Sequence, residues 1–64
     1  MIKYESRDVT VSRVGHYAVY KVNCWWENDE LNEFAVSRKD GIQTSNAELT
    51  KQELQFIEQE LYEI

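Results

Sequence analysis

The clearest periodicity in the chain lies in His16–Trp26. Its even positions, Ala18, Tyr20, Val22, Cys24 and Trp26, are nearly all apolar, whereas its odd positions, Tyr17, Val19, Lys21, Asn23 and Trp25, are mixed. A period of two with one apolar face is the signature of a strand that turns that face to a core. The segment is also dense in aromatic and β-branched residues, which suit a pleated sheet. Leu31–Arg38 reads as a second strand of this kind, with Phe34 and Val36 inward. An earlier strand carries Val9 and Val11. Ile2 and Tyr4 have the opposite parity to those valines, which requires either a bulge near Ser6–Asp8 or a strand that starts later.

Facing parity fixes the expected register, because a slip of one residue turns every side chain to the other face. Pairing the first two strands through Val14–Gly15 sets Val11 opposite Ala18, Val9 opposite Tyr20 and Asp8 opposite Lys21. A four-residue loop, Val14–Tyr17, also keeps the valines inward. Between the second and third strands, a two-residue turn at Asn28–Asp29 would set Cys24 against Glu33. A three-residue loop, Asn28–Glu30, sets Cys24 against Phe34 and Val22 against Val36, so the odd-length loop is favoured.

The last segment switches to helical spacing. Leu54, Ile57, Leu61 and Ile64 fall on one side, while Phe56 and Tyr62 lie about 120° from that stripe at roughly 100° per residue. Thr50-Lys51-Gln52-Glu53 is a capping box, and Leu49 with Leu54 is placed to form a hydrophobic staple. A weaker box, Ser45-Asn46-Ala47-Glu48, starts the helix a turn earlier or forms its own turn; Ile42–Leu49 is a loop, a short fourth strand or a helical turn. The expected architecture is one α+β domain spanning residues 1–64: a three-stranded antiparallel meander with a C-terminal helix on one face. Its expected core is Val9, Val11, Ala18, Tyr20, Val22, Cys24, Trp26, Phe34, Val36, Leu54, Ile57 and Leu61.

One helix covers one face, so the other should be open. That open face presents Tyr17, Val19, Lys21, Asn23 and Trp25, and exposed Trp and Tyr are the residue types most enriched at binding hot spots. An acidic run, Glu27, Asp29, Glu30 and Glu33, follows it, and Phe56 is a second apolar candidate on the helix. The plainer alternatives are that Trp25 lies flat on its neighbours, that the acidic groups are merely solvated, and that Phe56 is a lone surface aromatic.

Composition narrows the chemistry. The chain has 64 residues, one cysteine and one histidine, so neither an intrachain disulfide nor a Cys/His metal site is expected to staple it. Cys24 and His16 are eight residues apart in one strand, about 26 Å, too far for a nucleophile–base pair. No phosphate loop or nucleophile elbow is present, and so small a chain has little room for a substrate pocket. No enzyme activity, cofactor or metal is expected. A lone thiol with no leader or membrane-spanning run before or after it fits a cytoplasmic protein.

Net charge is −5, but unevenly spread: Met1–Trp26 is +2 and Glu27–Ile64 is −7. Such a field repels phosphate backbones and favours basic partners, unless it serves solubility alone. The expected function is therefore protein binding, as a modulator or inhibitor. In size and charge the chain resembles the short acidic accessory proteins by which bacteriophages and other mobile elements disable host proteins. Two alternatives remain. The order of elements resembles the sheet-plus-helix DNA-binding modules of some integrase arm-binding domains, although only Lys21, Lys39 and Arg13 could serve as reading cations. A homo-oligomer subunit is the other.

Overall fold

A computed structural model describes residues 1–63. Ile64, assigned above to the apolar stripe of the helix, lies outside the described residues. The elements are β1 (Ile2–Arg13), β2 (His16–Glu27), β3 (Glu30–Lys39), β4 (Ile42–Gln43), a single 3-10 turn (Asn46–Glu48) and α1 (Lys51–Tyr62). The strands form one antiparallel sheet in chain order. The expected meander and helix are present, with a two-residue fourth strand added at the β3 edge.

The first hairpin turns through Val14–Gly15, with Val11 opposite Ala18, Val9 opposite Tyr20 and Asp8 opposite Lys21. The second hairpin corrects the expected loop. The turn is Asn28–Asp29, closing on Glu27 opposite Glu30. Cys24 nonetheless faces Phe34 and Val22 faces Val36, because the register shifts by one residue between Trp25 and Trp26. A bulge at Asn32 absorbs the odd residue, so a tight turn and an apolar register coexist. Asn28 and Asp29 have φ of 51° and 68°, the left-handed pair a type I′ turn requires. Glycine holds the second of those positions without the Cβ penalty. Asp29→Gly should therefore raise stability by about 0.5–1 kcal/mol, read as a melting temperature a few degrees higher. A fall in that temperature would contradict the turn geometry.

The parity of Ile2 and Tyr4 is resolved by neither a bulge nor a late start. β1 runs from Ile2 without a register shift, so Ile2 and Tyr4 lie on the face away from the helix and Lys3, Glu5 and Arg7 lie on the helix face. The reason is length. α1 has 12 residues and spans about 18 Å, whereas the 12 residues of β1 span about 40 Å. The helix covers the Val9–Val11 half, and only its last turn reaches the other half, where the Tyr62 ring meets Trp26 edge-on at 6.0 Å. There Arg7 pairs with Glu5 and lies over the Trp26 ring at 5.3 Å, and Trp26 Nε1 donates to Glu5 at 2.8 Å. Burial pushes the Glu5 carboxyl up, but the indole N–H and the charges of Arg7 and Lys3 outweigh it and hold the group below its ordinary range.

The buried core is Val9, Val11, Ala18, Tyr20, Val22, Cys24, Val36, Ile57 and Leu61. Trp26 and Phe34, expected within it, are half-buried at its margin, Trp26 because only the last helical turn reaches it and Phe34 because it lies on β3, to the side of a helix that packs mainly over β1; Leu54 is half-buried too. The capping box forms as expected: Glu53 N–H donates to Thr50 Oγ1 at 3.1 Å and Thr50 N–H donates to Glu53 Oε1 at 3.2 Å. Ser45 makes no side-chain cap, and Ile42–Leu49 resolves into β4 and the 3-10 turn.

Candidate functional site

The sheet face away from α1 carries two kinds of surface. At one end, Tyr4 stacks on Trp25 with ring centroids 5.5 Å apart and planes 24° apart, as their opposed positions in β1 and β2 dictate. Tyr4 is 72% exposed, and Ile2 beside it is 54% exposed. Glu33 lies opposite Trp25 on β3, and Glu27 and Glu30 close the adjoining hairpin beside Ile2. Asp29 sits in that hairpin's turn. All four carboxylates are exposed. At the other end lie Tyr17, 70% exposed, and Val19, with Asp8, Lys21 and Arg38 aligned across three strands between the two ends.

Of the residues singled out from the sequence, Tyr17, Val19, Lys21, Asn23, Trp25, Glu27, Asp29, Glu30 and Glu33 share this face or its bordering turn. Trp25 is half-buried rather than open, because Tyr4 covers one side of it. Phe56 stands apart. It is half-buried against the core on the opposite side of the sheet, with the Arg13 guanidinium 5.4 Å from its ring and His16 at 5.9 Å. It is a helix-to-sheet contact and not an exposed surface aromatic.

Sequence reasoning missed Tyr4, although the broken parity of β1 was the signal that marked it. Tyr4 supplies the outer ring of the stack and converts a lone tryptophan into a two-ring platform. The Trp25 indole N–H beneath is buried and finds no acceptor among the described residues. A donor left in that state costs about 1–3 kcal/mol.

Two other polar clusters lie on the helix side. A groove of about 490 Å³ is lined by Lys3, Glu5, Arg7, Trp26 and Tyr62, but both of its side-chain cations are engaged by Glu5. The second cluster centres on Tyr20, which is fully buried. Its hydroxyl donates to Glu53 Oε2 at 2.9 Å, which leaves the phenol oxygen to accept from His16 Nε2 at 3.0 Å. Lys39 Nζ reaches the same Glu53 oxygen at 2.8 Å. Burial and the Glu53 carboxylate push the Tyr20 hydroxyl far above its ordinary value, so it keeps its proton. With no exposed surface, the tyrosine holds α1 to the sheet and offers nothing to a substrate. Burial likewise pushes the Cys24 thiol up, against a smaller opposing pull from Arg7. A buried thiol of this kind packs as a small apolar group.

Among the described residues no group of three His, Cys, Asp or Glu side chains could hold a metal ion. No described helix is long and apolar enough to cross a membrane. Comparison with protein-family models, curated proteins and solved structures returned no match.

Proposed function

We propose that the chain is a protein-binding module whose docking site is the Tyr4–Trp25 platform, and that its partner presents Arg or Lys side chains there. One observation carries this reading: a stacked aromatic pair on the uncovered face, bordered by Glu27, Glu30 and Glu33. An arginine lying over such a ring gains a cation–π attraction and finds carboxylates at its rim for bidentate pairing. The face as a whole carries four carboxylates, Asp8, Glu27, Glu30 and Glu33, against the two cations Lys21 and Arg38. That balance repels a phosphate backbone and disfavours the nucleic-acid alternative. A module of 64 residues acts by occupying its partner's surface, which suits a modulator or inhibitor of the kind mobile elements deploy against host proteins.

The test is fluorescence anisotropy with labelled nona-arginine, nona-lysine and nona-glutamate peptides. Nona-arginine should bind best and nona-glutamate should not bind. Trp25→Ala and Tyr4→Ala leave the net charge unchanged yet should each weaken the arginine peptide by at least about tenfold, the loss expected of a buried aromatic anchor. Equal affinity in wild type and both variants would reduce the interaction to bulk charge and overturn the proposed site.

A further inference from the structure

The two edges of the sheet are treated differently by the rest of the chain. The outer edge of β3 is sealed from Phe34 to Lys39. Asn46 Oδ1 accepts from Val36 N–H at 2.7 Å and Asn46 Nδ2 donates to Phe34 C=O at 2.9 Å, so one side chain imitates a neighbouring strand. Thr44 N–H donates to Ser37 C=O at 3.1 Å, and β4 pairs with Arg38 and Lys39. The outer edge of β1 has no such cover. Its first hairpin closes on the Arg13–His16 pair, so the odd residues of β1 bond to β2 and the even residues turn their N–H and C=O groups outward. The bond from Asn28 N–H to Met1 C=O continues the same alternation at the other end. Among the described residues none of Ile2, Tyr4, Ser6, Asp8, Thr10 or Ser12 gives its outward backbone groups to another group. An open edge 12 residues long, unbulged and without proline, is a template for another strand.

We infer that β1 pairs antiparallel with β1 of a second copy, in the register that sets Ser6 opposite Ser6. Helix-side residues must face helix-side residues, which restricts the pairing to even registers. Among registers centred near the middle of the strand, a centre at Glu5, Arg7 or Asp8 opposes that charged residue to itself. Centring on Ser6 instead sets Glu5 opposite Arg7 of the other copy, twice, and Tyr4 opposite Asp8. Arg7 keeps 24% of its side chain exposed and one guanidinium nitrogen pairs with Glu5 of its own chain, so the cross-copy contact brings a second carboxylate to a guanidinium that is only partly enclosed. The edge is also the least repulsive part of an acidic molecule, since β1 carries Lys3, Arg7 and Arg13 against Glu5 and Asp8.

The two four-stranded sheets then form one continuous sheet, with both helices on the same side and both aromatic platforms on the other. The Tyr4 residues of the two copies lie four positions apart along adjacent strands, about 14 Å. The dimer thus presents paired docking platforms, which raises avidity for a partner with repeated basic segments. The pairing itself does not depend on what the platforms bind.

Size-exclusion chromatography with light scattering should give a mass twice the 7.6 kDa of the chain. Ser6→Pro removes only outward N–H groups, which an edge strand tolerates, and should weaken association at least about 100-fold while leaving the circular dichroism spectrum intact. Ser6→Cys places two thiols across the dyad at a Cα separation of about 5.5 Å, within disulfide range, and should cross-link in air. Thr10→Cys, offset by eight residues, should not. A wild-type mass of one chain, a Ser6→Pro variant that still dimerises, or equal cross-linking of the two cysteine variants would each overturn the inference. None of those results bears on peptide binding by the platform, so the two readings fail separately.

Discussion

Replacing Ile57 with alanine should lower the melting temperature by at least about 8 °C and leave a measurable unfolded population at room temperature. Ile57 is completely buried, and with Leu61 it is the part of α1 that closes over Val9, Val11, Ala18, Tyr20 and Val22. Truncating a buried isoleucine to alanine costs about 2–5 kcal/mol, because the lost transfer energy is joined by a cavity that a packed sheet cannot collapse into. A domain of this length has roughly 3–10 kcal/mol to lose. Each kcal/mol moves the transition of so small a domain by about 4–8 °C. Leu54→Ala is the internal control. Leu54 sits only half-buried one turn earlier, and its truncation should shift the transition by less than half as much. A thermal melt of Ile57→Ala within a few degrees of wild type would mean that the helix is not what closes the core.

The elements whose pattern is local were legible in the sequence. The even positions of β2 face the core because alternation is a property of the strand alone, and Thr50–Glu53 caps α1 because a capping box is complete within four residues. What escaped depends on lengths and on contacts across the fold. Parity arithmetic assumes an unbroken ladder, so it lengthened the loop after Glu27, whereas the chain keeps a tight turn and takes up the odd residue at Asn32. Parity likewise flagged Ile2 and Tyr4 as anomalous but could not say that α1 is too short to cover that end of β1. The same shortness demoted Trp26 from the core to its rim and left Lys3, Glu5 and Arg7 on the helix face, whereas Phe34 is at the rim because α1 packs mainly over β1 and not over β3. Of the candidate site, the face bearing Tyr17, Val19 and Trp25 could be read from β2, but its strongest element, the stack with Tyr4, required the partner strand.

These corrections point to a division of labour along the sheet. Where α1 lies above it, the chain is held by apolar packing. Where only the last turn of the helix reaches, Tyr62 meets Trp26 edge-on, Arg7, Glu5 and Trp26 hold the helix side through charge and ring contacts, and Tyr4 with Trp25 covers the other side. The residues proposed to bind and those proposed to dimerise both belong to this uncovered end. It is the part of the molecule whose polar groups, Trp25 Nε1 and Arg7 Nη1, find no partner among the described residues.

Glu53 joins the two halves of the fold, and it should give the protein an acid-sensitive step that one substitution removes. The hydrogen bond from Lys39 holds its carboxyl at about 2 against the ordinary 4.5; burial opposes this, and bonds from Tyr20 and Thr50 reinforce it. A carboxyl with a lower pKa in the folded state contributes stability that is complete above about 4.5 and is lost as pH falls toward 2. Tyr20 sets the opposite boundary. Its hydroxyl titrates above the ordinary 10.0 when folded, so its contribution is complete below 10.0 and is lost as pH rises beyond it. Glu53→Gln keeps the geometry of a capping box but loses the charge that Lys39 and Tyr20 share. At pH 7 it should cost about 2 kcal/mol, the scale of a charge-assisted hydrogen bond in a half-buried site. As pH falls the wild type should lose that advantage, and the two denaturation midpoints should converge near pH 2. Chemical denaturation at a series of pH values measures this directly. A gap that stays constant from pH 7 to pH 2 would show that the Glu53 carboxylate carries no such linkage, and that the capping hydrogen bonds alone fix the start of the helix.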